Sequence, residues 1–238
     1  MSNGIGRNSN ACGKVCEFDK YVKDYRSVHT RNVQGVSGVD SEYFSEYKIA
    51  ELARRGFQPK KFLDFGCGDG NTAKHIRKYF PTARYYGVDV AEDCIKTAKE
   101  LNGKYGNFVK YDGKQLPFKS DSFDMIFVSC VMHHIKKKDR RRILRELFRV
   151  LKPSGRLVIF EHNTLNPVTR KLVNECPFDV DAILISPLEM LKMMRGHRPL
   201  MRFTIFFPRK GFFKKILWLE RLLWWCPIGG QYYVVCIK

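Results

Sequence analysis

The residues of this chain best placed to do chemistry are acids set among closely spaced glycines, and histidines that follow apolar runs. The densest group is Phe62 to Asn71, reading Phe-Leu-Asp-Phe-Gly-Cys-Gly-Asp-Gly-Asn. Glycines 66, 68 and 70 permit positive φ and let a ligand approach the backbone with no Cβ in the way. Asp64 stands two residues ahead of the first glycine and Asp69 lies inside the loop. A glycine turn opening a helix ordinarily cradles phosphate, but two carboxylates repel one. They suit a ligand carrying an ammonium and a sulfonium. Asp89 and Asp112 recur where later apolar runs end; Asp89 is placed to accept ribose hydroxyls, and Asp112, with Gly113 behind it, also reads as a plain Asp-Gly turn. His133 and His134 follow a fourth apolar run, and His162 ends a fifth beside Glu161 and Asn163. An imidazole titrates in the range useful for taking a proton from a hydroxyl, so His133 and His162 are the candidate catalytic residues. A structural, hydrogen-bonded histidine is the expectation for at least one of the adjacent pair.

These residues need strands that end at one edge. Phe62 to Phe65 reads as a first strand with a helix over Asn71 to Phe80. Arg84 to Val90 is a second, followed by a helix over Ala91 to Leu101, and Asn107 to Tyr111 is a third. Ser122 to Cys130 is a buried fourth, Lys138 to Leu151 an amphipathic helix, and Pro153-Ser154-Gly155 turns the chain into a fifth strand, Arg156 to Glu161. Strands alternating with helices over short connections specify a doubly wound parallel α/β sheet with helices on both faces. Ahead of it, residues 1–16 read as a disordered tail and 17–59 as a helical cap, with helices over Phe18 to Arg31 and from an Asp40 or Ser41 cap to a Gly56 stop. Residues 60–238 form the main domain. Short helices are expected over Val168 to Glu175 and Pro187 to Met194, and final strands over Phe203 to Phe207 and Gln231 to Ile237.

The stretch Leu63-Asp64-Phe65-Gly66-Cys67-Gly68-Asp69-Gly70 resembles the first motif of the class I S-adenosylmethionine-dependent methyltransferases. Over residues 60 to 162 the resemblance rests on specific motifs, and beyond that it is architectural. It implies a Rossmann-like seven-stranded sheet with the last strand antiparallel, and S-adenosylmethionine as cofactor. By resemblance, Asp64, Gly66, Gly68, Asp69, Gly70 and Asn71 form the cofactor turn and Asp64 holds the methionyl ammonium. Asp89 with Val90 holds the ribose, Asp112 with Gly113 meets the adenine, and the backbone at Ser129 lines the methionyl arm. Tyr21, Tyr25 and Tyr47 become candidate lid residues. The turn after the fourth strand, Ser129-Cys130-Val131-Met132, lacks the Asn-Pro-Pro-Tyr pattern of enzymes that methylate exocyclic amines of bases. Cys130 lacks the neighbouring proline of cytosine C5 enzymes, so it reads as a small buried apolar residue. The chain looks similar to the small-molecule branch that contains quinone, sugar and natural-product enzymes, with a small or lipid-linked acceptor methylated at oxygen, or else at nitrogen or carbon.

Composition sets limits on partners. Lys and Arg total 43 against 24 acids, a formal charge of +19, concentrated in 136–152 and 192–224. Such faces attract phosphate on RNA, on anionic lipid or on a small substrate, so an RNA methyltransferase is the first alternative and a non-catalytic protein of the same fold the second. A nicotinamide-dependent dehydrogenase is disfavoured by the acids in the glycine turn. No apolar run is long enough to cross a bilayer, the first residues lack a secretory h-region, and the eight cysteines are scattered as reduced thiols are. The expectation is a cytoplasmic protein, with contact at an anionic membrane surface through 212–226 as its one membrane option. That segment packs Phe212, Phe213, Trp218, Trp224 and Trp225 among Lys214, Lys215 and Arg221; burial between the last strands and the helix layer is expected, interfacial seating is the alternative. No metal site is expected, since Cys12 and Cys16 have no second ligand pair at finger spacing.

Overall fold

In the computed structural model, residues 34–177 and 179–238 are described. The expected tail, the helix over Phe18 to Arg31 and the lid candidates Tyr21 and Tyr25 lie outside the described residues.

Near-continuous apolar runs, buried on both faces, build the centre. Seven strands form one sheet: β1 (Lys61–Phe65), β2 (Arg84–Asp89), β3 (Asn107–Lys110), β4 (Phe123–Ser129), β5 (Leu151–His162), β6 (Leu200–Thr204) and β7 (Gln231–Ile237), in the order β3-β2-β1-β4-β5-β7-β6. The first five pair in parallel, and β7 runs antiparallel to both of its neighbours. Alternate side chains go to opposite faces. Leu63, Ile126, Val128, Leu157 and Ile159 enter one apolar cluster, and Phe62, Met125, Phe127, Val158 and Phe160 the other.

Helices close each face. Helix α1 (Ser41–Arg54) is capped by the Asp40 carboxylate, which accepts from Tyr43 N–H, and gives Ile49 and Leu52 to the second cluster; α2 (Thr72–Tyr79) and α3 (Glu92–Asn102) join it there. On the opposite face α4 (Lys137–Val150) buries Ile143, Leu144, Leu147 and Phe148. Two short helices with proline in the first turn, α5 (Pro167–Asn174) and α6 (Pro187–Met193), follow β5, as proline's fixed φ favours. Arg140 of α4 is fully buried, donating to the Ile135 and Ile183 carbonyls and pairing with Glu189. Arg142 and Arg149 likewise donate to loop carbonyls, so part of the basic run 136–152 is turned inward.

Two boundaries differ from the sequence reading. β5 starts at Leu151, paired with Phe123, and the residues expected to be a turn bulge out of the ladder before Arg156 meets Met125, with Ser154 at positive φ. β6 spans Leu200–Thr204, since Ile205 at φ 61° bends the chain and the N–H groups of Phe206 and Phe207 donate to Glu220 instead of a strand. The aromatic segment differs more. Gly211–Arg221 winds as 3₁₀ turns in which only Glu220 is buried. Phe212 (69 % exposed), Trp218 (61 %), Trp225 (63 %) and Ile228 (64 %) face outward, against the expected burial. A bidentate ion pair from Arg209 to Glu220, at 2.6 and 2.8 Å, replaces an apolar anchor.

Candidate active site

At the carboxyl end of β1 the chain turns back on its neighbour strand, Gly66 N–H and Cys67 N–H both donating to Val88 C=O. Gly66, Gly68 and Gly70 have φ of 74°, 53° and 74°, which L side chains resist. A Cβ on Gly66 would strike Val131 and one on Gly70 would strike Phe108, whereas nothing lies within 4 Å of one on Gly68. The turn is packed from below and open at its middle. There Gly68 N–H donates to Asp89 Oδ2 at 3.0 Å, while Ala91 N–H donates to Oδ1, fixing the acid at the end of β2. Asp64 lies beneath, 2 % exposed, its Oδ2 accepting from Tyr85 OH at 2.7 Å. Burial pushes its carboxyl up to about 7 against the pull of the Tyr85 and Thr72 hydroxyls. Asn71 N–H donates to Asp69, and the buried Asn71 Oδ1 accepts no hydrogen bond among the described residues. Asp112 is exposed, its Oδ1 accepting from Lys114 and Gln115 N–H as an Asp-Gly turn does, with Gly113 at φ 75° against Val90.

The ends of β4 and β5 hold a second group. His133, 1 % exposed, is clamped: Nδ1 lies 2.6 Å from Glu161 and Nε2 lies 3.3 Å from Asp179. Burial opposes its charge, but the two carboxylates hold its pKa up at about 10. Asp179 is held down at about 2 by His133 against its own desolvation. Glu161, fully buried, also accepts from Met132 N–H. His134 Nε2 reaches Asp179 at 3.4 Å, and burial beside the His133 charge lowers its pKa to about 4. The donor atoms of His133, His134 and Asp179 lie within 4.8 Å of one another. Glu161 and Asp179 both pair with the His133 imidazolium, so the group keeps one net negative charge with His134 neutral. His162 sits with its ring centroid 5.2 Å from that of His133 and beside the Cys130 thiol.

Cys130 contradicts its sequence reading. Its backbone is left-handed at φ 56°, and the Lys48 ammonium lies 3.6 Å from Sγ and 2.7 Å from Ser129 Oγ. Although desolvation opposes ionisation, Lys48 and His162 bring the thiol down to about 6. It is a partly exposed thiolate at neutral pH, of the electropositive kind that makes cysteines reactive, and not an apolar filler. Lys48 was missed from sequence. The signal for it was a lysine at the fourth step between Phe44 and Leu52 on the inward face of α1. Asp179, in the loop after Pro177, carried no such signal. Tyr47, a lid candidate, hydrogen-bonds Thr204 and fastens α1 to β6 instead of covering the turn.

An open sheet whose glycine turn and acid-tipped second strand face one edge is the class I methyltransferase architecture. The comparisons agree. A methyltransferase-domain family profile matches residues 63–159. The demethylmenaquinone methyltransferase of Thermotoga maritima is 38 % identical over 138 residues, covering 58 % of this chain and 57 % of that protein. The malonyl-[acyl-carrier protein] O-methyltransferase of Legionella pneumophila is 30 % identical over 156 residues, covering 65 % and 50 %. The chain thus spans about half the length of the curated relatives it matches. Among solved structures, a SAM-dependent methyltransferase from Aquifex aeolicus superposes with TM-score 0.62 at 15 % identity over 92 % of this chain and 97 % of that one. The [4+2]-cyclase SpnF superposes with TM-score 0.68 at 16 % identity over 100 % and 99 %. These two show the fold alone, and the second shows that the fold does not fix the reaction. Residues 63–159 thus match a methyltransferase domain, and the sheet around them has the class I methyltransferase fold.

S-adenosylmethionine is the cofactor of that family, and the residues fit it. The open middle of the turn admits a ligand to the backbone at Gly68. The half-buried carboxylates of Asp69 and Asp89 edge the turn as acceptors for a cationic, hydroxyl-bearing molecule, with Asp64 and the unsatisfied Asn71 Oδ1 buried behind them.

Proposed function

We propose that this chain transfers a methyl group from S-adenosylmethionine to an oxygen of a small, lipid-linked or phosphate-bearing acceptor by in-line displacement. The cofactor supplies a methyl carbon activated by positive sulfur; Asp89, Asn71 and the glycine turn hold it, and the buried Asp64 charge, set under the turn, favours its ammonium. The protein's remaining task is to hold a nucleophile close and take up its proton. The observation that carries the reading is the grouping of His162 with Cys130 and Lys48 at the ends of β4 and β5, next to the cofactor turn. His162 is the ring of this group that no described carboxylate clamps, and it serves as the base toward an acceptor hydroxyl. His133, closed off and held at both nitrogens, is a positioning residue that orients His162 and His134 from behind. Curated relatives are named a demethylmenaquinone methyltransferase, a malonyl-[acyl-carrier protein] O-methyltransferase and a ubiquinone/menaquinone biosynthesis C-methyltransferase, which supports an oxygen or carbon acceptor. The chain works at the inner surface of a membrane or in the cytoplasm beside it.

Calorimetric titration with the cofactor is the test. Binding is expected, and Asp89→Ala weakens it about 10- to 100-fold by removing hydrogen bonds to a charged group. His162→Ala lowers kcat about 10²- to 10⁴-fold with unchanged cofactor affinity. Failure of the wild type to bind the cofactor defeats the reading in favour of a non-catalytic protein. Mass spectrometry of a cell extract treated with enzyme and deuteromethyl cofactor identifies the acceptor.

A further inference from the structure

The segment after β6 is built inside out. In Gly211–Arg221 the one buried side chain is an acid, Glu220, which pairs with Arg209 and accepts from Phe206 and Phe207 N–H. Phe203 N–H donates to Trp224 C=O, and Asn163 and Asn166 donate to the carbonyls of Pro227, Gly229 and Ile228. The backbone is therefore fixed while Phe212, Trp218, Leu222, Trp225 and Ile228 stay in water. Large apolar side chains held exposed on one short segment mark a surface for another phase or molecule. Its tether Asn163 follows His162, the last residue of β5.

Beside it lies a cationic cavity. Arg55, Arg156, Arg198 and Arg202 line a space of about 180 Å³ whose lip carries the exposed Leu200 and Ile237. Arg55 pairs with Glu51, while Arg156, Arg198 and Arg202 form no ion pair among the described residues. Arg156 lies over the Phe57 ring at 5.0 Å. Arg202 lies over Trp224 at 4.2 Å, which joins the cavity to the aromatic face, and its buried Nε has no hydrogen-bond partner among the described residues. Burial and the neighbouring Arg55 lower the Arg202 pKa. Four guanidiniums against one carboxylate call for an anion, and guanidinium geometry suits phosphate.

We propose that this face docks on an anionic lipid bilayer, with the Trp, Phe and aliphatic side chains of 212–228 seated in the interface and a lipid phosphate held between Arg156, Arg198 and Arg202. Charge complementarity and side-chain type select this occupant. Trp and Lys or Arg are the side chains favoured at a bilayer interface, and Lys214, Lys215 and Arg221 stand among the exposed aromatics. RNA would use aromatic rings for stacking, but it has no use for Leu200, Leu222, Ile228 and Ile237, which are half or more exposed. This docking does not depend on the methyl-transfer reading and can fail or stand without it.

Vesicle flotation of the full chain is the test, with phosphatidylglycerol vesicles against phosphatidylcholine vesicles at low and at about 0.5 M salt, where screening shortens to a few ångströms. Binding to the anionic vesicles only, weakened by salt, is expected. Trp218→Ser with Trp225→Ser removes it. Arg156→Gln with Arg198→Gln lowers the anionic partition roughly fivefold per arginine while circular dichroism and a cooperative thermal melt on the same samples show that both variants are folded. Wild type left unbound by anionic vesicles overturns the proposal, as does either double variant binding like wild type. Stabilisation by inorganic phosphate without vesicle binding overturns it in favour of a soluble anionic ligand. Submicromolar gel shift of an RNA homopolymer without vesicle binding overturns it in favour of nucleic acid.

Discussion

At the residue scale the chemistry depends on charges that are mutually held. Cys130 is ionised at neutral pH since Lys48 and His162 outweigh its desolvation. Iodoacetamide should therefore label Cys130 ahead of the buried Cys67, Cys94 and Cys236, with a rate that rises through about pH 6. In Lys48→Met the midpoint moves to higher pH. Peptide mapping of the labelled site checks both, and a midpoint unmoved by loss of Lys48 would show that its ammonium does not govern the thiol. The His133 clamp carries the opposite pair of shifts. His133 is raised from 6.5 to about 10, so its contribution to stability is complete below pH 6.5 and fades as pH rises through 10. Asp179 is lowered from 3.8 to about 2, so its contribution is complete above about pH 4 and fades as pH falls through 2. Denaturant melts should show wild type losing more stability than His133→Asn between pH 6 and 10. Parallel curves for the two would contradict the pairing.

At the scale of elements, the segment between β6 and β7 is the departure from ordinary design. A buried Arg209–Glu220 pair, satisfied by two further backbone donors, does the work that an apolar face does in α1 or α4. Removing one partner of a buried pair leaves an uncompensated charge and costs about 3–5 kcal/mol. Glu220→Gln should thus lower the thermal midpoint, and limited proteolysis should cut first within 205–228. Unchanged stability with unchanged cleavage would mean that the pair is not the anchor. Helix α1 has the reverse logic: an apolar face to the sheet with one lysine delivered through it to the end of β4.

At the scale of the molecule, the sequence alone determined the order of strands and helices up to β5, the glycine turn, Asp89 at a strand end, and both final strands in outline. Those features rest on local physics: short continuous apolar runs, positive φ that only glycine adopts cheaply, and capping such as Asp40 at α1. The cofactor class was legible for the same reason, since its determinants lie within one turn and the next strand end. Tertiary structure decided what depends on neighbours distant in the chain. Lys48 and Cys130, 82 residues apart, meet only when α1 lies across β4. Asp179 reaches His133 only when its loop folds back over the sheet edge. The outward turn of Trp218 and Trp225 was unreadable, because aromatic spacing looks the same whether an apolar core or an inward acid holds the backbone. Ionisation and exposure are set by what surrounds a side chain, and sequence lists the side chains without their surroundings.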